Sequence, residues 1–174
     1  MITRRSMLRI GGLTGLALLP GCGFQPLYGN QASSGAIAPE LGAIEINEIG
    51  EGTERRIGQI LKNELIDHFT AGQGRLPTRY RLLVEIDQST AALQIQSNDT
   101  ITRFNLVLIA DFALYDSTSA ALLYSSTARA TGSYDVVESE YATLVAEQAT
   151  AEDAARELSS TITNLLSLYF GRQA

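Results

Sequence analysis

Apolar and polar residues alternate with a period of two through three long runs in the middle of the chain, a pattern that predicts β-strands. In the first run Tyr80, Leu82, Val84 and Ile86 share one side and Arg81, Leu83, Glu85 and Asp87 the other, with a weaker continuation to Ile95. In the second, from Ile101 to Tyr115, Phe104, Leu106, Leu108, Phe112 and Leu114 oppose Arg103, Asn105, Val107, Ile109 and Asp111. In the third, Leu122, Tyr124, Ala128, Ala130 and Tyr134 alternate with Ser125, Thr127, Arg129, Thr131 and Asp135. Polar turn chemistry at Gln96 to Thr100 and Asp116 to Ala120 joins the runs into an antiparallel meander.

Helical periodicity flanks the meander. A short alternation from Ala43 to Asn47 predicts a first strand, broken at Gly50 and Gly52. Ile57, Ile60, Leu61, Leu65 and Phe69 then recur at threes and fours, with Thr53 placed to cap the helix and Gly72 and Gly74 to end it. The longest helix signal runs from about Ser139 to Phe170, carried by Tyr141, Leu144, Val145, Gln148, Ala151, Ala155, Leu158, Ile162, Leu165, Leu166 and Tyr169, with Gly171 as its stop. The order β-α-β-β-β-α predicts an α+β two-layer sandwich, with two helices packed on one face of a four-stranded, mainly antiparallel sheet. The other face mixes charges and hydroxyls with Leu83, Val107 and Ile109. It reads either as a solvated sheet face or as a surface that docks inside something polar and water-filled.

Ahead of this domain the pattern changes. Arg4, Arg5 and Arg9 precede a short apolar run that ends in Leu19, Pro20, Gly21 and Cys22, the only cysteine of the 174 residues. A positive segment, a short apolar segment and a small residue before the cysteine predict a lipoprotein signal peptide over residues 1–21, cleaved to leave Cys22 lipidated. The apolar run is too short for a retained transmembrane helix, which needs about 20 residues. The adjacent arginines also fit a twin-arginine export signal. Residues 22–40, rich in Gly, Pro, Ser and Ala and without periodicity, read as the lipidated N-terminus and tether of a single domain spanning 41–174.

Charge narrows the partners. The leader holds three of the thirteen Lys+Arg and none of the nineteen Asp+Glu, so the remainder carries net charge −9. That excludes the basic footprint of a nucleic-acid binder and leaves the acyl group as the membrane attachment. With Cys22 lipidated there is no disulfide framework, and the core alone must hold the fold. His68, the single histidine, has no nucleophile or orienting carboxylate in a local motif, and the scattered carboxylates lack metal-ligand spacing. We therefore expect no enzyme activity, metal or cofactor.

The segment Cys22, Gly23, Phe24, Gln25, Pro26, Leu27, Tyr28 and Gly29, set at the lipidation point and followed by β-α-β-β-β-α with a long terminal helix, resembles the LptE family of lipopolysaccharide-assembly lipoproteins. The resemblance implies two helices on a four-stranded sheet, held at the periplasmic face of the outer membrane as plug and assembly partner of the LptD β-barrel that exports lipopolysaccharide. It makes the mixed sheet face the barrel-contacting surface, with Arg81, Arg103, Asp111 and Arg129 as contacts and Phe24, Tyr28 and Tyr134 as aromatic anchors. Family members carry basic residues in the turn before the third strand and near the start of the last helix. Here Gln96 to Thr100 and Glu138 to Glu140 hold no lysine, so Arg103 is the nearest candidate for a lipopolysaccharide contact. The competing expectation is an auxiliary lipoprotein of an ABC-type or phospholipid transport system.

Overall fold

Eight elements follow one another in the computed structural model, which describes residues 32–71, 76–95 and 101–173. They are α1 (Ala32–Gly42), β1 (Ile44–Ile46), a 3-10 turn (Gly52–Glu54), α2 (Arg55–Thr70), β2 (Tyr80–Ile95), β3 (Ile101–Asp116), β4 (Leu122–Asp135) and α3 (Glu140–Gly171). The expected signal peptide, Cys22, Phe24, Tyr28 and the Gln96 to Thr100 turn lie outside the described residues.

The strands form one sheet in the order β1-β2-β3-β4. β1 pairs with β2 in parallel, through Ile44 and Tyr80 to Ile46 and Leu82, and the β2-β3 and β3-β4 pairs are antiparallel. Long antiparallel strands put every second side chain on one face. Leu82, Val84, Leu106, Leu108, Ala110, Phe112, Leu114, Ala128 and Ala130 are accordingly buried against α2 and α3. From α2 come Ile57, Leu61, Leu65 and Phe69, four residues apart, and from α3 come Ala151, Ala155, Leu158, Ile162 and Leu166. This is the α+β two-layer sandwich that the hydrophobic pattern predicts.

Local structure departs from expectation at four places. The stretch expected to act as a tether through Glu40 is helical from Ala32, and Leu41 is buried in the core. Its Ala-, Ser- and Gly-rich sequence contains Pro39, which removes an intrahelical hydrogen bond, so tertiary contact decides the conformation. One such contact is Glu40, which accepts from Arg79 Nη1 at 2.9 Å and from the Tyr80 hydroxyl at 2.7 Å.

Thr53, expected to cap α2, instead lies inside the 3-10 turn, and α2 starts at Arg55 without a side-chain cap. Gly50 (φ +72°) and Gly52 (φ +58°) make the reversal from β1 possible, because both adopt the left-handed conformation that side chains disfavour. Ser139, by contrast, caps α3 with its side chain, accepting from the Ala142 N–H at 3.3 Å.

A bulge near the start of β4 changes the parity of its side chains. Leu114 pairs with Tyr124 but Tyr115 pairs with Leu122, so Leu123 is skipped. Leu123 packs on the core, while Leu122, expected on the covered face, is 56% exposed.

The fourth departure lies in the first third of α3. Its 32 residues span about 48 Å, twice the roughly 24 Å of the 16-residue α2, so its early stripe has no second helix to meet. Tyr141 (76% exposed), Leu144 (50%) and Val145 are open to solvent. Between Leu144, Gln148 and Ala151 of α3, Arg56 and Ile57 of α2 and Gln88 of β2 lies a groove of ≈ 430 Å³.

Candidate functional site: the open sheet face

Residues of odd number on β2, on β3 and on β4 beyond its bulge point away from the helices, and the strand register sorts them into cross-strand rows. At the end nearest the β2-β3 hairpin stands Arg103 beside Asp135. Next come Ala91, Asn105 and Ser133, then Ser89, Val107 and Thr131, then Asp87, Ile109 and Arg129. Glu85, Asp111 and Thr127 follow, then Leu83, Ala113 and Ser125, and finally Arg81, Tyr115 and Leu122, with Glu45 of β1 beside Arg81. Charged and hydroxyl side chains thus surround Val107 and Ile109 of the central strand, and Leu83 and Ala113 form an aliphatic step beside Glu85 and Asp111.

Arg103 and Asp135 make a two-pronged ion pair, Nε to Oδ1 at 2.7 Å and Nη2 to Oδ2 at 3.1 Å. Hydrogen bonding to Asp135 raises the Arg103 pKa, and the same bond holds the Asp135 carboxyl below the usual carboxylate range. The Thr127 hydroxyl donates to Asp111 Oδ1. Glu85 stands directly opposite Asp111 in the register, an arrangement of like charges, with Arg129 one diagonal away from Asp111. Among the described residues Arg81, Glu85, Asp87 and Arg129 form no ion pair. A shallow, solvent-open depression of ≈ 370 Å³ over Leu83, Glu85, Asp111, Tyr115, Ser125 and Thr127 lies toward the end of this surface away from the β2-β3 hairpin.

The structure therefore brings Arg81, Arg103, Asp111 and Arg129 onto one face, as the alternation predicts. Tyr134 is the correction to that set. It is 8% exposed and stacks on Phe104 across the strands at 5.8 Å and 16° on the helix-covered face, where burial raises its phenol pKa. Its even number places it with the core, so it is unavailable as a surface anchor. Sequence reasoning missed Leu122, because a bulge leaves no mark in a period-two pattern, whereas Tyr115 follows the odd parity of β3 and was not singled out.

His68 also acquires neighbours that the sequence could not show. Its Nδ1 lies 3.3 Å from Ser159 Oγ and 3.4 Å from Thr163 Oγ1. The Ser159 hydroxyl donates to the Arg156 carbonyl and that of Thr163 to the Ser159 carbonyl, so both are left to accept from the ring. Ser159 is fully buried between the helices, out of reach of a substrate. Among the described residues no group of His, Cys, Asp or Glu is arranged to hold a metal ion, and no helix is long and apolar enough to cross a membrane.

A sheet with one face covered by helices and the other open defines a two-layer sandwich of the α+β class. The chain belongs to the LptE family of lipopolysaccharide-assembly proteins, whose family model matches residues 41–166. Among solved structures it is similar to a lipoprotein of Caulobacter crescentus CB15, with 25% identity and TM-score 0.61 over 79% of this chain and 97% of that one. Lipoprotein B of Nitrosomonas europaea (16% identity, TM-score 0.55, 72% of this chain and 82% of that one) has the same fold. So does rare lipoprotein B of Shewanella oneidensis (8% identity, TM-score 0.52, 71% and 94%). Curated proteins provide no match.

Proposed function

We propose that this LptE-family protein, anchored through an acylated Cys22 at the periplasmic face of the outer membrane, plugs an LptD-like β-barrel and acts as its assembly partner in moving lipopolysaccharide to the cell surface. The observation that carries the reading is the open face itself. It runs the length of strands of 14 to 16 residues and leaves Arg81, Glu85, Asp87 and Arg129 without ion-pair partners among the described residues. Large outer-membrane barrels have polar lumens, and unpaired charges set among aliphatic side chains are complementary to such a wall. Phe24 and Tyr28 would add aromatic contacts close to the anchor.

The role is one of docking, without catalysis. Ser159, the hydroxyl beside His68, is buried between α2 and α3 and commits its proton to a backbone carbonyl. For lipopolysaccharide, Arg103 is the proposed contact. Asp135 already occupies its Nε and Nη2, so a phosphate would have to share or displace that carboxylate.

The test is a mild-detergent isolation of the tagged, full-length lipoprotein from its native membrane, with retained proteins identified by mass spectrometry. Stoichiometric recovery of an LptD-like barrel supports the plug. Recovery of ABC-type or phospholipid transporter subunits in its place sinks the plug and favours the auxiliary-lipoprotein reading.

A further inference from the structure

The two edges of the sheet are not equivalent. On one side the three-residue β1 covers the start of β2, and the uncovered remainder of β2 carries Glu85 and Asp87. On the other side β4 pairs only with β3, over 14 residues or about 46 Å. Natural sheets protect such an edge with Pro, Lys, inward charges or a covering element. β4 (Leu122–Asp135) has no Pro and no Lys, and between its two ends its only charge is Arg129. No backbone hydrogen bond from another element reaches residues 123–135 on that edge among the described residues. Every second N–H and C=O of β4 therefore points outward without a backbone partner among the described residues.

From this geometry we infer that the β4 edge takes up an extended segment of a partner protein, which adds a fifth strand and sets a carboxylate beside Arg129. Backbone hydrogen bonds would supply the attachment and the side-chain alternation its register. On the open side the incoming strand meets Ser125, Thr127, Arg129, Thr131 and Ser133, a row of hydroxyls around one unpaired cation. On the covered side it continues a layer of Ala128, Ala130 and Gly132, which favours small or apolar residues.

Charge argues against a second copy of this chain as the occupant. Antiparallel pairing of two β4 edges along their whole length, with like faces in step, would set Arg129 opposite its counterpart or one diagonal away, where like charges repel. The wall strands of a closed barrel do not fit either, since their backbone groups are already paired. The segment must come from a loop, terminus or open sheet edge. The inference goes beyond the plug reading and does not require a barrel.

Residue-resolved amide exchange of β4 tests it, read on the full-length lipoprotein in its native membrane fraction and again after purification away from other proteins. Strand addition slows the outward amides of residues 123–135 by about a hundredfold or more in the membrane, in a period-two pattern, as local opening replaces free exposure. Arg129→Glu returns them toward the free rate and leaves the β3-bonded amides unchanged. Equal rates in both preparations, or a uniform slowing without alternation, would overturn the inference. So would cross-linking of β4 to β4 of a second copy. Alternating protection without a co-isolated barrel would leave this proposal standing and remove the plug, whereas a co-isolated barrel without the alternation would do the reverse.

Discussion

Gly132 of β4 lies directly beneath Thr150 of α3, so close that a β-carbon at Gly132 would collide with the Thr150 methyl group. The missing side chain is what allows the long helix to settle on the sheet at this point. Thr150 keeps its own hydroxyl satisfied by donating to the Ala146 carbonyl at 2.8 Å, so its methyl is held toward the strand.

Gly132→Ala should therefore destabilise the protein by about 1–3 kcal/mol, as overpacking does, with a fall in Tm of roughly 2–10 °C. Thr150→Ser removes the colliding methyl and keeps the hydroxyl. Thermal unfolding of the two single variants and the double variant should show coupling, with Thr150→Ser recovering most of the loss.

Tyr134 separates packing from docking. Truncating this buried, stacked ring to alanine should cost about 3 kcal/mol in chemical denaturation, whereas Tyr134→Phe, which keeps the stack on Phe104, should be close to neutral. If Tyr134→Phe weakened recovery of the barrel while leaving stability unchanged, the hydroxyl would have to face the partner after all.

The free cations of the open face make the opposite prediction. Arg81→Glu with Arg129→Glu removes no ion pair formed among the described residues, so each change should alter stability by less than about 0.5 kcal/mol. Co-isolation of the barrel should nevertheless drop at least about tenfold, since like charges brought together across an interface are costly. Arg103→Glu should add local repulsion against Asp135, visible as faster amide exchange at the ends of β3 and β4.

Alkaline pH reports on the contact that holds α1. Burial, reinforced by the Glu40 hydrogen bond and charge, pushes the Tyr80 phenol up to about 12, from an ordinary value of about 10. Because the folded-state value is raised, the stability this group contributes is fully present below about pH 10 and is lost as pH rises toward 12. Ultraviolet titration of the parent against Tyr80→Phe should show the last phenol to ionise disappearing. Glu40→Gln should bring that ionisation down part of the way, since burial remains. An unchanged titration in Glu40→Gln would exclude the hydrogen bond as a cause.

Periodicity alone was enough to determine the two layers. Alternation over β2, β3 and β4, and four-residue spacing of Leu61, Leu65 and Phe69, are properties of local geometry, and so the covered and open faces and the positions of Arg81, Arg103, Asp111 and Arg129 could be read directly. Where the outcome depends on what lies across a contact, the sequence is silent. α1 exists because Leu41 finds the core and Glu40 finds Arg79 and Tyr80, contacts formed between residues far apart in the chain. Leu122 turns outward because a bulge uncouples position from parity. Tyr141 and Leu144 continue a helical stripe that is identical in pattern to the buried one, and they are exposed only because α2 stops short. The free edge of β4 is likewise a matter of sheet order, which depends on which strands meet and which one is left without a neighbour.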